Sequence, residues 1–183
     1  MPVWDDQRFK KLLDRILATV AGKRPVIDVP YYVYVYEPAL EQTALDEFEK
    51  LEAMLRAKGV SVETISLATW MIDSLESLGC LAEAFLKQEA KQRDWVKQDL
   101  ERELTREISS RLKEHLKDKD ISHCALFVRA GALFPFVRVS SILSSIEAEV
   151  HATIVVAYPG SRDGTHLRFL NEGDGVYYRA EII

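Results

Sequence analysis

Three observations predict an α/β fold: a mostly parallel sheet with helices on both faces and a C-terminal antiparallel hairpin. Three short runs are apolar without alternation, "YYVYVY" at 31–36, "CALFV" at 124–128 and "TIVVAY" at 153–158. Strands covered on both faces read this way. Between these runs lie stretches with apolar residues at helical spacing, the pattern of strand–helix–strand crossovers. Near the end, "THLRFL" (165–170) and "VYYRAEII" (176–183) flank "NEGDG", a hairpin turn containing Gly173 and Gly175. The hairpin is expected to extend one sheet edge. No repeat, low-complexity tract or linker divides the chain, so a single domain over 1–183 is expected.

Each element follows from local pattern. Residues 5–20 form an amphipathic helix through Phe9, Leu12, Leu13, Ile16, Leu17 and Val20, broken by Gly22 and Pro25. The first strand ends at Tyr36, and Pro38 opens a helix to about Lys58, stopped by Gly59. "VSVETISL" (60–67) alternates, as expected nearer a sheet edge. A helical stretch from about Ala68 to Gln92 is interrupted near Gly79.

The longest helix is expected over 95–117, where Val96, Leu100, Leu104, Ile108, Leu112 and Leu116 recur every fourth residue. Four residues turn a helix by about 400°, so this stripe drifts about 40° per step and winds around the axis. It suits oblique packing across a surface better than a straight coiled-coil seam. Its remaining faces are densely charged; a solvated cover helix is the first reading and a partner-binding helix the second. After the strand at 124–128, Pro135 is placed to start a short helix through about Leu143, and the last central strand ends at Pro159-Gly160.

The bulk properties narrow the function classes. The 183 residues can bury a real core without staples, and 48% hydrophobic with 29% charged content is ordinary for a globular protein. A net charge of −5 argues against a surface that coats nucleic acid. Two cysteines cannot build a disulfide framework. Cys124 reads as a buried reduced thiol and Cys80 as structural. No signal-peptide run and no apolar segment near the roughly 18 residues of a membrane span are present. A cytoplasmic protein with no membrane association is expected.

Catalytic signatures are missing. GxxxxGK[ST], GxGxxG and GxSxG do not occur, and Glu37 stands where a phosphate-binding relative would place glycines. His115, His123, His151 and His166 lack metal-ligand spacing, and no CxxC pair exists. His123 and His151 stand at strand starts, where surface or capping roles are usual. No catalytic residue, metal or cofactor is expected.

What remains is a convergence. Open parallel sheets bind ligands outside the carboxyl ends of their strands. There the sequence sets Glu37, then Arg129 and Gly131 with Arg138 further on, then Tyr158, Gly160, Arg162, Asp163 and Gly164. Arginines on one rim can grip a phosphate or a carboxylate with two parallel hydrogen bonds. A structural reading competes: Arg162 and Asp163 pair within their own turn, Gly160 and Gly164 supply positive φ, and Arg138, Arg168 and Arg179 are peripheral charges.

The order "PYYVYVYEP", "RAGALFPFVRVSSIL", "VVAYPGSRDGTHLRFLN" and "YYRAEII" resembles the BrxB family, small components of bacterial phage-exclusion (BREX) loci. The most specific pieces are Tyr158-Pro159-Gly160 with Asp163-Gly164 and Leu167-Arg168-Phe169, supported by Gly131, Pro135, Phe136, Arg138 and Tyr178-Arg179-Ala180. The resemblance implies a role in phage defence beside a methyltransferase, a large ATPase and a phosphatase-like protein of the alkaline-phosphatase superfamily (PglZ-type). It implies a non-enzymatic adaptor whose partner is that phosphatase-like component. It also implies a Rossmann- or P-loop-like core without nucleotide motifs, a likeness that says nothing by itself about function.

Three readings follow. The first is a module docking onto another defence protein, with a homodimer as a further association if the last strand leaves an open edge. The second is a nucleotide or nucleic-acid binder, DNA included, using Arg129, Arg138 and Arg162, with salt-sensitive affinity. The third is an enzyme of unrecognised type, for which Glu37 and Asp163 are the carboxylates placed to act.

Overall fold

Strand β1 (Tyr31–Tyr36) is buried along its whole length, and its alternation explains how an aromatic run can be central. Successive side chains point to opposite faces. Tyr31, Val33 and Val35 enter one core, while Tyr32, Tyr34 and Tyr36 enter the other. Each hydroxyl finds a partner in a neighbouring segment: Tyr31 donates to Val150 O (3.3 Å), Tyr34 to Asp5 O (3.0 Å) and Tyr36 to the Glu41 carboxylate, and Tyr32 pairs with Thr19 Oγ1 (2.6 Å). The ring area is buried without stranding the polar tips. Burial pushes the Tyr34 hydroxyl up to about 12, against the lowering effect of Arg8.

This computed structural model describes residues 2–23, 29–83, 85, 87, 93–172 and 175–183. The expected break at Pro25, the Gln92 boundary and the turn residue Gly173 lie outside them. Besides β1, the strands are β2 (Ser61–Ser66), β3 (His123–Val128), β4 (Thr153–Asp163), β5 (His166–Phe169), β6 (Val176–Tyr177) and β7 (Glu181–Ile182). The main sheet runs β2-β3-β4-β1-β7, and every pairing in that path is parallel. β2 stands at an edge, as its alternation predicts.

Helices cover both faces. α1 (Asp6–Val20) and α2 (Glu41–Ala57) contribute Leu12, Ile16, Phe48 and Leu51 to the core that holds Tyr34. α1 starts where the Asp5 side chain accepts from Arg8 N, an N-cap. α3 (Leu67–Ser77), α4 (Arg93–Leu116) and α5 (Val139–Ile146) cover the other face. The winding stripe of α4 is turned inward: Val96, Leu104, Ile108, Leu112 and Leu116 are buried and Leu100 is partly so. Its outer arginines pair along the helix, Arg102 with Asp99 and Glu103 and Arg106 with Glu103. Arg111–Asp73 (3.3 Å) and Lys113–Glu149 (2.7 Å) tie it to its neighbours. No helix among the described residues is long and apolar enough to cross a membrane.

Four local expectations are corrected. β4 does not end at Pro159-Gly160 but continues to Asp163. Its ladder with β3 finishes at Val156, so the missing N–H of Pro159 costs no rung on that side. The extension pairs antiparallel with β5, and β5 with β6, so the hairpin stands beyond the carboxyl end of β4 instead of widening an edge. The run 176–183 splits, and Glu181–Ile182 returns to pair parallel with β1. Pro135 does not start a helix: residues 130–133 form a 3₁₀ turn, and the amides of Phe136 and Val137 bond Leu133 O, which delays α5 to Val139.

Candidate functional site

The chain leaves β1 through a 3₁₀ turn (Pro38–Leu40) towards α2 on one face, whereas β3 leads to α5 on the other. The carboxyl ends of β1 and β4 therefore lie at the divergence where parallel sheets open a crevice. A cleft of about 510 Å³ lies there, walled by Trp4, Arg8, Tyr36, Glu37, Gly160 and Arg162 among others. Glu37, Gly160 and Arg162 are among the residues nominated by the sequence. Arg8, Trp4 and Tyr36 are not.

The polar groups of this cleft are largely engaged by the chain itself. Arg8 donates to Val35 O at 3.1 Å and to Ile183 O, with its guanidinium 5.2 Å from the centre of the Tyr34 ring. Glu37 accepts from Asn171 Nδ2 at 3.2 Å. Arg162 Nε donates to Gly164 O at 2.8 Å, so it braces its own turn without pairing with Asp163, whose partner is Arg168 at 3.4 Å. Gly164 has φ +60° in that turn, as expected. Gly160 is required for a different reason than positive φ: a Cβ there would lie 2.1 Å from Arg168 O. Arg129 is exposed with left-handed φ of 58°, and its charge acts on Tyr36. A Cβ on Gly131 would make only ordinary contacts, 3.7 Å from Pro159 and 3.8 Å from Leu170.

Arg138 and Tyr158 lie elsewhere. They belong to a second cleft of about 220 Å³ between residues 134–140 and the hairpin, with Phe134, Phe169, Glu172 and Tyr178. The structure thus divides the expected rim between two clefts, and Arg129, Gly131, Asp163 and Gly164 line neither. In the second, Phe134 is 44% exposed at the mouth and Tyr158 is 1% exposed at the floor. Phe169 packs between them, 6.5 Å from Phe134 and 5.2 Å from Tyr158 by ring centres. Tyr178 donates to the Tyr158 hydroxyl at 3.3 Å.

A titratable cluster occupies the β2 edge. Glu63 accepts from His115 Nε2 at 2.7 Å and from His123 Nε2 at 2.9 Å, and His123 Nδ1 meets Ser61 Oγ at 2.8 Å. His123 is therefore buried in a network rather than standing on the surface, because the parallel register sets Ser61 opposite it. Among the described residues no group of His, Cys, Asp and Glu suits a metal ion. Burial alone would raise the Glu63 carboxyl, but the two histidine hydrogen bonds and charges together hold it below the ordinary glutamate value. A depressed carboxyl stabilises the fold above its unfolded pKa and loses that contribution as pH falls through the folded value. Glu63→Gln is accordingly expected to be less stable than wild type at pH 7 and to converge with it under acid, read from urea midpoints across pH. Cys124 is free and buried, which pushes its thiol up to about 12.

Comparison with known families decides the setting. The model of the family "BREX protein BrxB" matches residues 63–183, well over half of the chain. This chain belongs to the BrxB family. It is a component of a BREX anti-phage defence system, and its association is with the other proteins of such a system. No curated protein and no solved structure matches the chain. The BrxB match leaves out "PYYVYVYEP" and with it α1, β1 and α2. The second cleft lies wholly within the matched stretch, whereas the first takes much of its wall from Pro2–Leu40, outside it.

Proposed function

We propose that this BrxB-family chain is a non-enzymatic adaptor that docks onto the phosphatase-like, PglZ-type component of its BREX system through the second cleft. One observation carries the choice of surface: an exposed phenylalanine, Phe134, stands at the mouth of a cleft inside the family-matched region. Aromatic anchors beside a pocket are what partner proteins bury at the centre of an interface. The polar groups of the first cleft support the same reading, since Arg8, Glu37 and Arg162 are bonded to the fold itself. The outer face of α4 is a less suitable anchor, because its apolar stripe is spent inside.

The test is gel filtration with light scattering, on the chain alone and mixed with the phosphatase-like protein of the same system. A complex is expected, and Phe134→Ala is expected to weaken it tenfold or more, about 1.4 kcal/mol or above, with little change in the stability of the free chain. A complex indifferent to Phe134→Ala but lost with Arg162→Ala would move the surface to the first cleft. No complex at micromolar concentration, with salt-sensitive binding of nucleotide or DNA that depends on Arg129 and Arg162, would replace the adaptor reading.

A further inference from the structure

The second cleft contains a buried hydroxyl whose own proton meets no acceptor among the described residues. Ser140 is the second residue of α5, where main-chain N–H groups have no partner inside the helix. It lies close to the Tyr178 hydroxyl. Tyr178 donates to the Tyr158 hydroxyl at 3.3 Å. Having accepted that bond, Tyr158 still has its own proton to give, and no described residue receives it. Tyr158 is 1% exposed and lines the cleft, so an acceptor must arrive through the cleft. A buried donor left unpaired is costly.

Arg138 supplies the matching charge. It is exposed beside the cleft without a carboxylate partner among the described residues, and its charge reaches Tyr178. Phe134, Leu167 and Phe169 make apolar walls. Glu172 lines the cleft too, also without an ion pair among the described residues.

We propose that this cleft takes an apolar side chain carried beside a carboxylate, the carboxylate accepting from Tyr158 and pairing with Arg138. The inference rests on the docking reading and states what the partner presents there: an acidic, apolar segment. Two donors suit the two oxygens of a carboxylate. A doubly charged phosphate is a poorer occupant, because Glu172 repels it more strongly and the walls are apolar. A cation has no acceptor on the Tyr158 side.

The test uses three probes of one shape, 3-phenylpropionate, 3-phenylpropanamide and 3-phenylpropylamine, titrated into the full chain and followed by amide NMR shifts. The acid is expected to shift residues 134–140 and 167–178 and to bind at least tenfold more tightly than the amine, with the amide between. Tyr158→Phe, which keeps the buried ring, and Arg138→Gln should each remove most of the preference for the acid over the amide. Glu172→Gln should tighten acid binding. Equal binding of acid and amine, shifts confined to other regions, or a preference untouched by Tyr158→Phe and Arg138→Gln would each overturn the proposal. If the protein complex forms and depends on Phe134 while the acid shows no preference, docking stands and the carboxylate pocket falls. Acid selectivity without any complex upholds the pocket and removes the docking reading.

Discussion

Gly160→Ala is expected to destabilise the chain by about 3 kcal/mol or more, the upper range for forcing atoms into a packed site. Gly160 pairs with Phe169 where β4 continues into the hairpin. An added Cβ would lie 2.1 Å from Arg168 O and 3.0 Å from Tyr158 Cε1. The first of these neighbours is backbone and cannot rotate away. Relief requires the β4–β5 ladder to open, which displaces Tyr158 and Phe169 together. The urea midpoint should drop, and the preference of the second cleft for 3-phenylpropionate should disappear with it. Gly131→Ala is the control: with ordinary contacts and no positive φ, it is expected to be neutral or to gain about 0.4–1 kcal/mol from a stiffer unfolded chain. Similar midpoints for the two variants would show that the close approach at Gly160 does not exist.

Leu112→Ala is the second large effect, expected to cost about 2–5 kcal/mol because the truncated side chain leaves a cavity that the sheet and helices refill only partly. Leu112 is fully buried, on the inward stripe of α4 one turn before its last residue, Leu116. Reversing Arg102 and Arg106 to Glu on the same helix removes only exposed pairs. Such pairs are worth about 0.2–1 kcal/mol, so the reversal should shift stability modestly and leave the partner complex intact. The contrast separates the two readings of α4. A complex lost on charge reversal, with Leu112→Ala harmless, would make α4 the docking element instead of a cover.

Buried positions were legible wherever the local pattern was long enough. The unalternated runs at 31–36 and 124–128 are buried at every residue, and the alternating run at 61–66 lies at an edge. The four-residue stripe of α4 specified its inward face. Which group meets which was not legible. Arg8 reaches Ile183 across 175 positions, and the Glu63–His123 bond spans 60. Such partners leave no trace in a window of ten or twenty residues. Pro135 and Pro159 misled for a related reason. Proline sets local torsion and removes a donor, but whether a strand continues past it depends on which neighbour needed that N–H.

The candidate site shows the same division. Sequence alone determined which residues gather at the carboxyl ends of the strands, because a parallel sheet orders its strand ends by chain direction whatever its strand order. Only the tertiary structure decided that Glu37 and Arg162 face one cleft while Tyr158 and Arg138 face another. Neighbouring residues of β4 point to opposite faces, and the hairpin built on its extension rises between the two. The unpaired proton of Tyr158 belongs to that level as well. It exists because the packing of the last segment against β4 brings the Tyr178 hydroxyl within hydrogen-bonding distance of Tyr158. Burial is written in the periodicity of a chain; the partner of a buried polar group is set by the packing of segments far apart along it.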